Sequence, residues 1–218
     1  MNILAIDTCT EVASVTLYSS NVKTTRVLTD IAKSSGYILK LCDEVFKEAG
    51  NNLQEVDFIS YTKGPGAFTG VRMCVGVVQG LSFSCGIPTL GFSTLELLAF
   101  RASKILKKDK IAAAIDARMG EVYWAVYDNG SISNMRICKP ENVDNLGASF
   151  VGVGSGWKVH NDELIKASQI NHTDSNIYPE STDLIDLSLL AIELGQKATF
   201  DLPQPIYLRN NVAQKSLK

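Results

Sequence analysis

The chain has 218 residues, 45 % of them hydrophobic and 20 % charged, with 21 basic residues against 23 acidic ones. A formal net charge of −2 argues against a protein that grips a phosphate backbone unaided, since such proteins carry a basic surplus. Asp7 interrupts the first apolar run too early for a signal peptide, and the longest apolar stretches hold Gly, Ser and Gln that argue against a membrane span, so a cytoplasmic setting is expected.

The opening segment, NILAIDTCTEVASVTLY from Asn2, reads as an apolar strand ending in Ile-Asp, a polar turn and a second strand. The cluster Ser19-Ser20-Asn21 then signals a hairpin. Ser34 or Ser35 is a candidate cap for a helix with apolar face Ile38, Leu41, Cys42, Val45 and Phe46, stopped by Gly50-Asn51-Asn52. VDFISYTK is a buried strand that feeds KGPGAFTGVR, Lys63 to Arg72.

That glycine turn fits neither common phosphate template. A P-loop places lysine after the last glycine, where this chain has Val71, and the spacing of Gly64, Gly66 and Gly70 is one residue too long for the dinucleotide fingerprint. An anion at the following helix N-terminus stays open. In that helix Val71, Cys74, Val78, Leu81 and Cys85 form a stripe suited to packing on a sheet. The opposite side collects Thr69, Arg72, Met73, Gly76, Gly80 and Phe83. A solvated face carries Lys, Glu and Gln, so either a second helix of the same lobe or a partner protein covers this side.

IPTLGF is a short strand, and STLELLAF starts a helix capped by Ser93 or Thr94 with Glu96 in its first turn. The charged connector KILKKDK marks a lobe boundary, dividing the chain into residues 1–105 and 106–218. IAAAIDARMGEVYWAVY from Ile111 then repeats the opening segment, with Asp116 matching Asp7 and Glu121 matching Glu11. Asp128-Asn129-Gly130 is a hairpin signal, SFVGVGSG a strand and glycine turn, and STDLIDLSLLAIELGQKA an amphipathic helix. The expected class is α/β, in two lobes that each open with a β-hairpin.

Duplicated strand-end aspartates facing a cleft are the arrangement with which an ATPase or small-molecule kinase holds Mg-ATP, so Asp7 and Asp116 are candidate cofactor-binding residues. Against this, such turns use glycine for close approach to phosphate, and Thr8-Cys9-Thr10 has none while Ala117-Arg118-Met119-Gly120 has one. The bland alternative is that both aspartates bond local amides. The two histidines, His160 and His172, show no metal-site spacing, and His160 reads as a surface residue. Cys9, Cys42, Cys74, Cys85 and Cys138 contain no C-x-x-C and read as reduced thiols. No catalytic or metal-ligating residue is assigned.

ILAIDTCT, KGPGAFTGVR with its glycine-bearing helix, GIPTLGFSTLELLA, IDARMGEVYWAVY and PIYLR (Pro205 to Arg209) together resemble the bacterial TsaB family, whose members serve the machinery that makes threonylcarbamoyladenosine in tRNA. The resemblance covers nearly the whole chain. It implies two lobes of the actin-like ATPase fold (ASKHA, ribonuclease H-like) and a non-catalytic role. It further implies pairing with the catalytic paralogue TsaD through the first-lobe helices, with the ATPase TsaE joining, and self-pairing as a homodimer when alone. By the same resemblance tRNA is met only through the complex, no membrane is involved, and ATP or ADP belongs, if anywhere, at a subunit boundary. Relatives often open the first long helix with His-Ser-Glu, where this chain has Lys33-Ser34-Ser35-Gly36, so contacts made there by relatives do not transfer. A metallopeptidase, a label distant relatives have carried, lacks its histidine pair here.

Overall fold

The computed structural model describes residues 1–29 and 36–209; the expected Ser34 or Ser35 cap and most of the Lys33–Gly36 departure lie outside them. Each half of the chain builds one mixed sheet. The first holds β1 (Ile3–Asp7), β2 (Ala13–Ser19), β3 (Val22–Leu28), β4 (Phe58–Thr62) and β5 (Thr89–Phe92), in the order β3-β2-β1-β4-β5. The second holds β6 (Lys110–Asp116), β7 (Val122–Asp128), β8 (Ser131–Cys138), β9 (Val151–Val153) and β10 (His172–Asp174). Its order, β10-β9-β6-β7-β8, is the first sheet's order element for element. In both, the first two connections are antiparallel hairpins and the last two pairings are parallel.

The hairpin turns explain why these strands pair in this register. Ser20 and Asn21 between β2 and β3 have φ of 51° and 62°, and Asn129 and Gly130 between β7 and β8 have 47° and 85°. Two successive left-handed residues make the type I′ turn whose twist matches the flanking strands. The central strands β1 and β6 are apolar on both faces, as strands covered on both sides must be.

The helices are α1 (Ile38–Ala49), α2 (Phe68–Cys85), α3 (Thr94–Leu106), α4 (Ser155–Val159), α5 (Asn161–Ser168) and α6 (Ser181–Glu193). α1 buries Ile38, Leu41, Cys42 and Val45 and ends on Gly50 in the left-handed conformation. α3 begins with a full capping box: Ser93 accepts from the Leu95 amide and Glu96 accepts from the Ser93 amide. The glycine turn after β9 is shorter than expected, because Ser155 already opens α4.

The two halves are not separate at the level of their helices. α3, from the first half, packs on the second sheet through Leu95, Leu98, Ala99 and Ala102. α6, from the second half, packs on the first sheet, where Leu184, Ile185 and Leu187 meet Ile3, Ala5 and Phe58. Hydroxyls fix α6 in place: Ser188 donates to Ser60 Oγ at 2.6 Å and the Ser181 amide donates to Ser14 Oγ at 2.8 Å. Arg101 on α3 reaches Glu180 and Asp183, while Lys104 reaches Asp183 and Asp186, so an ion network ties the exchanged helices together. The architecture is that of the two-lobed actin-like ATPase fold.

α2 departs from one expectation. At 18 residues and a mean hydropathy of 1.2 it is long and apolar enough to cross a membrane, despite its glycines and serines. Here it is a sheet-covering helix, held to the first core through Val71, Cys74, Val75 and Val78.

Candidate functional site

Two surfaces gather the residues singled out in the sequence. The first is the outward face of α2. Thr69, Arg72, Gly76, Gly80 and Phe83 are all exposed, and Phe83 retains 91 % of its accessible surface. Among the described residues, a Cβ placed at Gly76 or Gly80 would meet nothing within 4 Å and no second helix of the lobe covers this side. Met73 differs from the other five: it is half-buried and packs against the first core.

The glycines upstream have the opposite character. A Cβ at Gly66 would lie 2.0 Å from the Cys9 carbonyl oxygen, and one at Gly70 would lie 2.1 Å from that of Thr8. Real side-chain atoms do not approach so closely, so these two glycines let the start of α2 press on the β1–β2 turn. The Ala67 amide donates to Cys9 O at 2.8 Å and the Thr8 hydroxyl to Gly70 O at 2.6 Å, sealing that contact. KGPGAFTGVR is a packing joint between a turn and a helix.

The second surface is a cleft of about 970 Å³ between the β1–β2 turn, the start of α2, the β6–β7 turn and the segment Ile206–Arg209. That last segment crosses from one lobe to the other. The Ile206 amide donates to Lys63 O at 2.6 Å, Arg72 Nε donates to the Tyr207 hydroxyl at 3.2 Å, and Arg209 donates to Ala117 O, Arg118 O and Glu121 Oε2. PIYLR was noticed in the sequence only through resemblance; its bridging depends on contacts across more than eighty residues, which no local pattern encodes.

Asp7 and Asp116 repeat one local bond. Asp7 Oδ1 accepts from the Cys9 amide at 3.1 Å, and Asp116 Oδ1 accepts from the Arg118 amide at 2.9 Å. Beyond this they diverge. Asp7 is fully buried, takes a second bond from the Thr62 hydroxyl and is not among the residues lining the cleft. Burial pushes its carboxyl up to about 6, against the opposing effect of the Thr62 and Cys9 bonds. Asp116 lines the cleft, paired with the Arg118 guanidinium at 3.0 Å. His160, expected at the surface, is largely covered instead and places Nε2 3.9 Å from Asp116 Oδ1. The cysteines are free thiols, with Cys9, Cys42 and Cys74 buried.

Residues 31–195 match the family model described as TsaD, tRNA N6-adenosine threonylcarbamoyltransferase. The tRNA threonylcarbamoyladenosine biosynthesis protein TsaB of Escherichia coli is 34 % identical, the match covering 100 % of this chain and 98 % of that one. TsaB of Haemophilus influenzae is 33 % identical, over 100 % of this chain and 97 % of its own. The solved structure of YeaZ from Pseudomonas aeruginosa superposes with a TM-score of 0.86 at 34 % identity, over 95 % of this chain and 99 % of that one. The chain therefore belongs to the TsaB family of tRNA threonylcarbamoyladenosine biosynthesis proteins.

Proposed function

We propose that this chain is a non-catalytic scaffold subunit for making threonylcarbamoyladenosine next to the anticodon of tRNA. In this reading it pairs with the catalytic paralogue TsaD, and the ATPase TsaE joins the pair. The complex is cytoplasmic, tRNA is contacted only through the assembly, and ATP or ADP, where one is needed, sits at a subunit boundary. The names of the full-length relatives support the pathway.

The outward face of α2 supports the pairing. Each glycine inside a helix costs about 1 kcal/mol relative to alanine. Gly76 and Gly80 bring no compensating contact within the described chain, and beside them Phe83 stands almost wholly in solvent. A partner helix backbone lying in the shallow track above the two glycines accounts for both features, with Phe83 and Arg72 as flanking anchors of the kind that dominate interfaces. When no paralogue is present, a second copy uses the same face.

The test is co-purification with the paralogue from the same organism, followed by reconstituted tRNA modification. The chain alone is expected to modify no tRNA, and adding it is expected to activate the paralogue. Gly76→Leu, which fits the open space of the isolated fold, is expected to abolish pairing while circular dichroism stays unchanged. Normal pairing by that variant would overturn the assignment of the face; unaided modification by the chain would overturn the scaffold reading.

A further inference from the structure

Arg72 is the one charged side chain among the 18 residues of α2. Arg72, Gly76 and Gly80 are spaced by four, so they stand in one row on the exposed side of the helix. Arg72 therefore heads the track above the two glycines. Its Nη1 and Nη2 have no hydrogen-bond or ion-pair partner among the described residues.

A solvated side chain of this length samples many rotamers. Arg72 is instead held on two sides. Its guanidinium carbon lies 3.7 Å from the centre of the Phe68 ring, one turn earlier on the same helix. Its Nε donates to the Tyr207 hydroxyl at 3.2 Å. The Tyr207 ring lies against Phe68, with ring centres 6.4 Å apart. Tyr207 is fixed in turn by its own segment: Pro203 O accepts from Gln79 Nε2 at 2.7 Å, the Ile206 amide donates to Lys63 O at 2.6 Å, and Arg209 grips Glu121 at 2.6 Å.

These contacts use the flat face of the guanidinium and its Nε. What they leave free is the edge that carries Nη1 and Nη2, whose parallel N–H groups match the two oxygens of a carboxylate. A side chain already fixed in this way loses less freedom on binding. Phe68 and Tyr207 are each about half exposed, so a partner that covers them shields the fork from water, where a charge-assisted bond is stronger.

We propose that Arg72 is the carboxylate receptor of the pairing face, its two terminal nitrogens taking one aspartate or glutamate side chain of the catalytic paralogue. This inference rests on the pairing reading above. It adds the chemistry that the partner presents at the head of the glycine track. It also makes Tyr207, 135 residues away in the sequence, a positioning residue for that contact.

The experiment is calorimetric titration of the full chain and its variants with the paralogue. Arg72→Gln is expected to weaken pairing about thirtyfold. Arg72→Lys keeps the charge and loses the fork, and is expected to weaken it about tenfold. Tyr207→Phe keeps the ring and removes only the hydroxyl, with an expected loss of about fivefold. In the Arg72→Gln background the same change is expected to cost nothing further, since a positioning residue acts only through the group that it positions. On the paralogue, one Asp→Asn or Glu→Gln substitution is expected to match the loss of Arg72→Gln and not to add to it. The receptor is overturned, with the pairing face intact, if Gly76→Leu abolishes pairing while Arg72→Gln or Arg72→Lys pairs like the parent chain, or if no acidic position of the paralogue couples to Arg72. An equal cost of Tyr207→Phe in both backgrounds overturns the positioning role. Normal pairing by Gly76→Leu removes the face itself, and the receptor with it.

Discussion

The carbonyl oxygen of Cys9 sits where a side chain on Gly66 would have to go, 2.0 Å from the Cβ position. This close approach lets α2 rest directly on the β1–β2 turn. It also divides the glycines of one helix and its lead-in into two kinds with opposite expected behaviour.

Gly66→Ala must displace backbone, because the blocking atoms are the Cys9 carbonyl and not the end of a flexible side chain. A loss of about 3 kcal/mol is expected, the upper part of the range for overpacking. Gly76→Ala meets nothing within 4 Å and removes a helix-interior glycine, so a gain of about 1 kcal/mol is expected for the isolated chain. Urea unfolding of both variants checks this. Equal changes in the two midpoints would show that the close approach at Gly66 is not real.

The pH dependence of stability is expected to carry the signature of Asp7. Its folded carboxyl is pushed up to about 6 from an ordinary 3.8, chiefly by burial. The folded state therefore binds the proton more tightly than the unfolded chain. The contribution is fully present below about 3.8 and is lost as pH rises through about 6. Asp7→Asn stays neutral and can keep the bonds from Cys9 and Thr62 through its carbonyl. The variant is expected to exceed the parent by about 2–3 kcal/mol at pH 8, with the advantage shrinking toward pH 4. A difference between the two that does not vary with pH would remove the buried ionisable carboxyl from the account.

How much of this was legible in the sequence depends on the range over which each feature is specified. The duplicated hairpins were readable, because Ile-Asp at a strand end and Asn-Gly at a turn are local chemistry. The outward face of α2 was readable from helical periodicity at five of its six positions. Met73, named with them, is half-buried, because a long flexible side chain at the edge of a face can fold back onto the core. The exchange of α3 and α6 was hidden, since an amphipathic face declares that it needs a sheet and not which sheet. Thr10 was hidden too. A threonine in a polar turn is ordinary in sequence, and only the fold shows its hydroxyl buried without a partner among the described residues.

The exchange of those helices has its own test. Asp183 is 7 % exposed and accepts from both Arg101 and Lys104 on α3. Asp183→Ala removes the carboxylate that the two cations share, leaving Arg101 on Glu180 and Lys104 on Asp186, and a loss of about 1–2 kcal/mol is expected. Glu44→Ala removes only surface pairings, with Arg26, which keeps Glu48, and with Lys40, and is expected to change stability by less than about 0.5 kcal/mol. Thermal unfolding of the pair checks this, and similar melting shifts would mean that the α3–α6 network contributes no more than a surface ion pair.

Arg209 provides the last test, because it joins the chain's final described segment to the second lobe. Its guanidinium donates to Ala117 O at 3.1 Å, Arg118 O at 3.3 Å and Glu121 Oε2 at 2.6 Å. The turn it holds carries three successive left-handed residues, Arg118, Met119 and Gly120, and two of these are not glycine. Such a backbone persists when its surroundings over-determine it. Arg209→Ala removes these constraints and a further contact to Met119 Sδ while leaving both cores intact, so a small change in melting temperature is expected. Amide exchange should accelerate locally, at Glu121, which bonds back to Arg118 O, and at Ile206, which bonds to Lys63 O. Unchanged exchange at both sites would show that the crossing segment is held by Ile206 and Tyr207 alone. Acceleration at Glu121 without Ile206 would show that each lobe grips its own end of the segment independently.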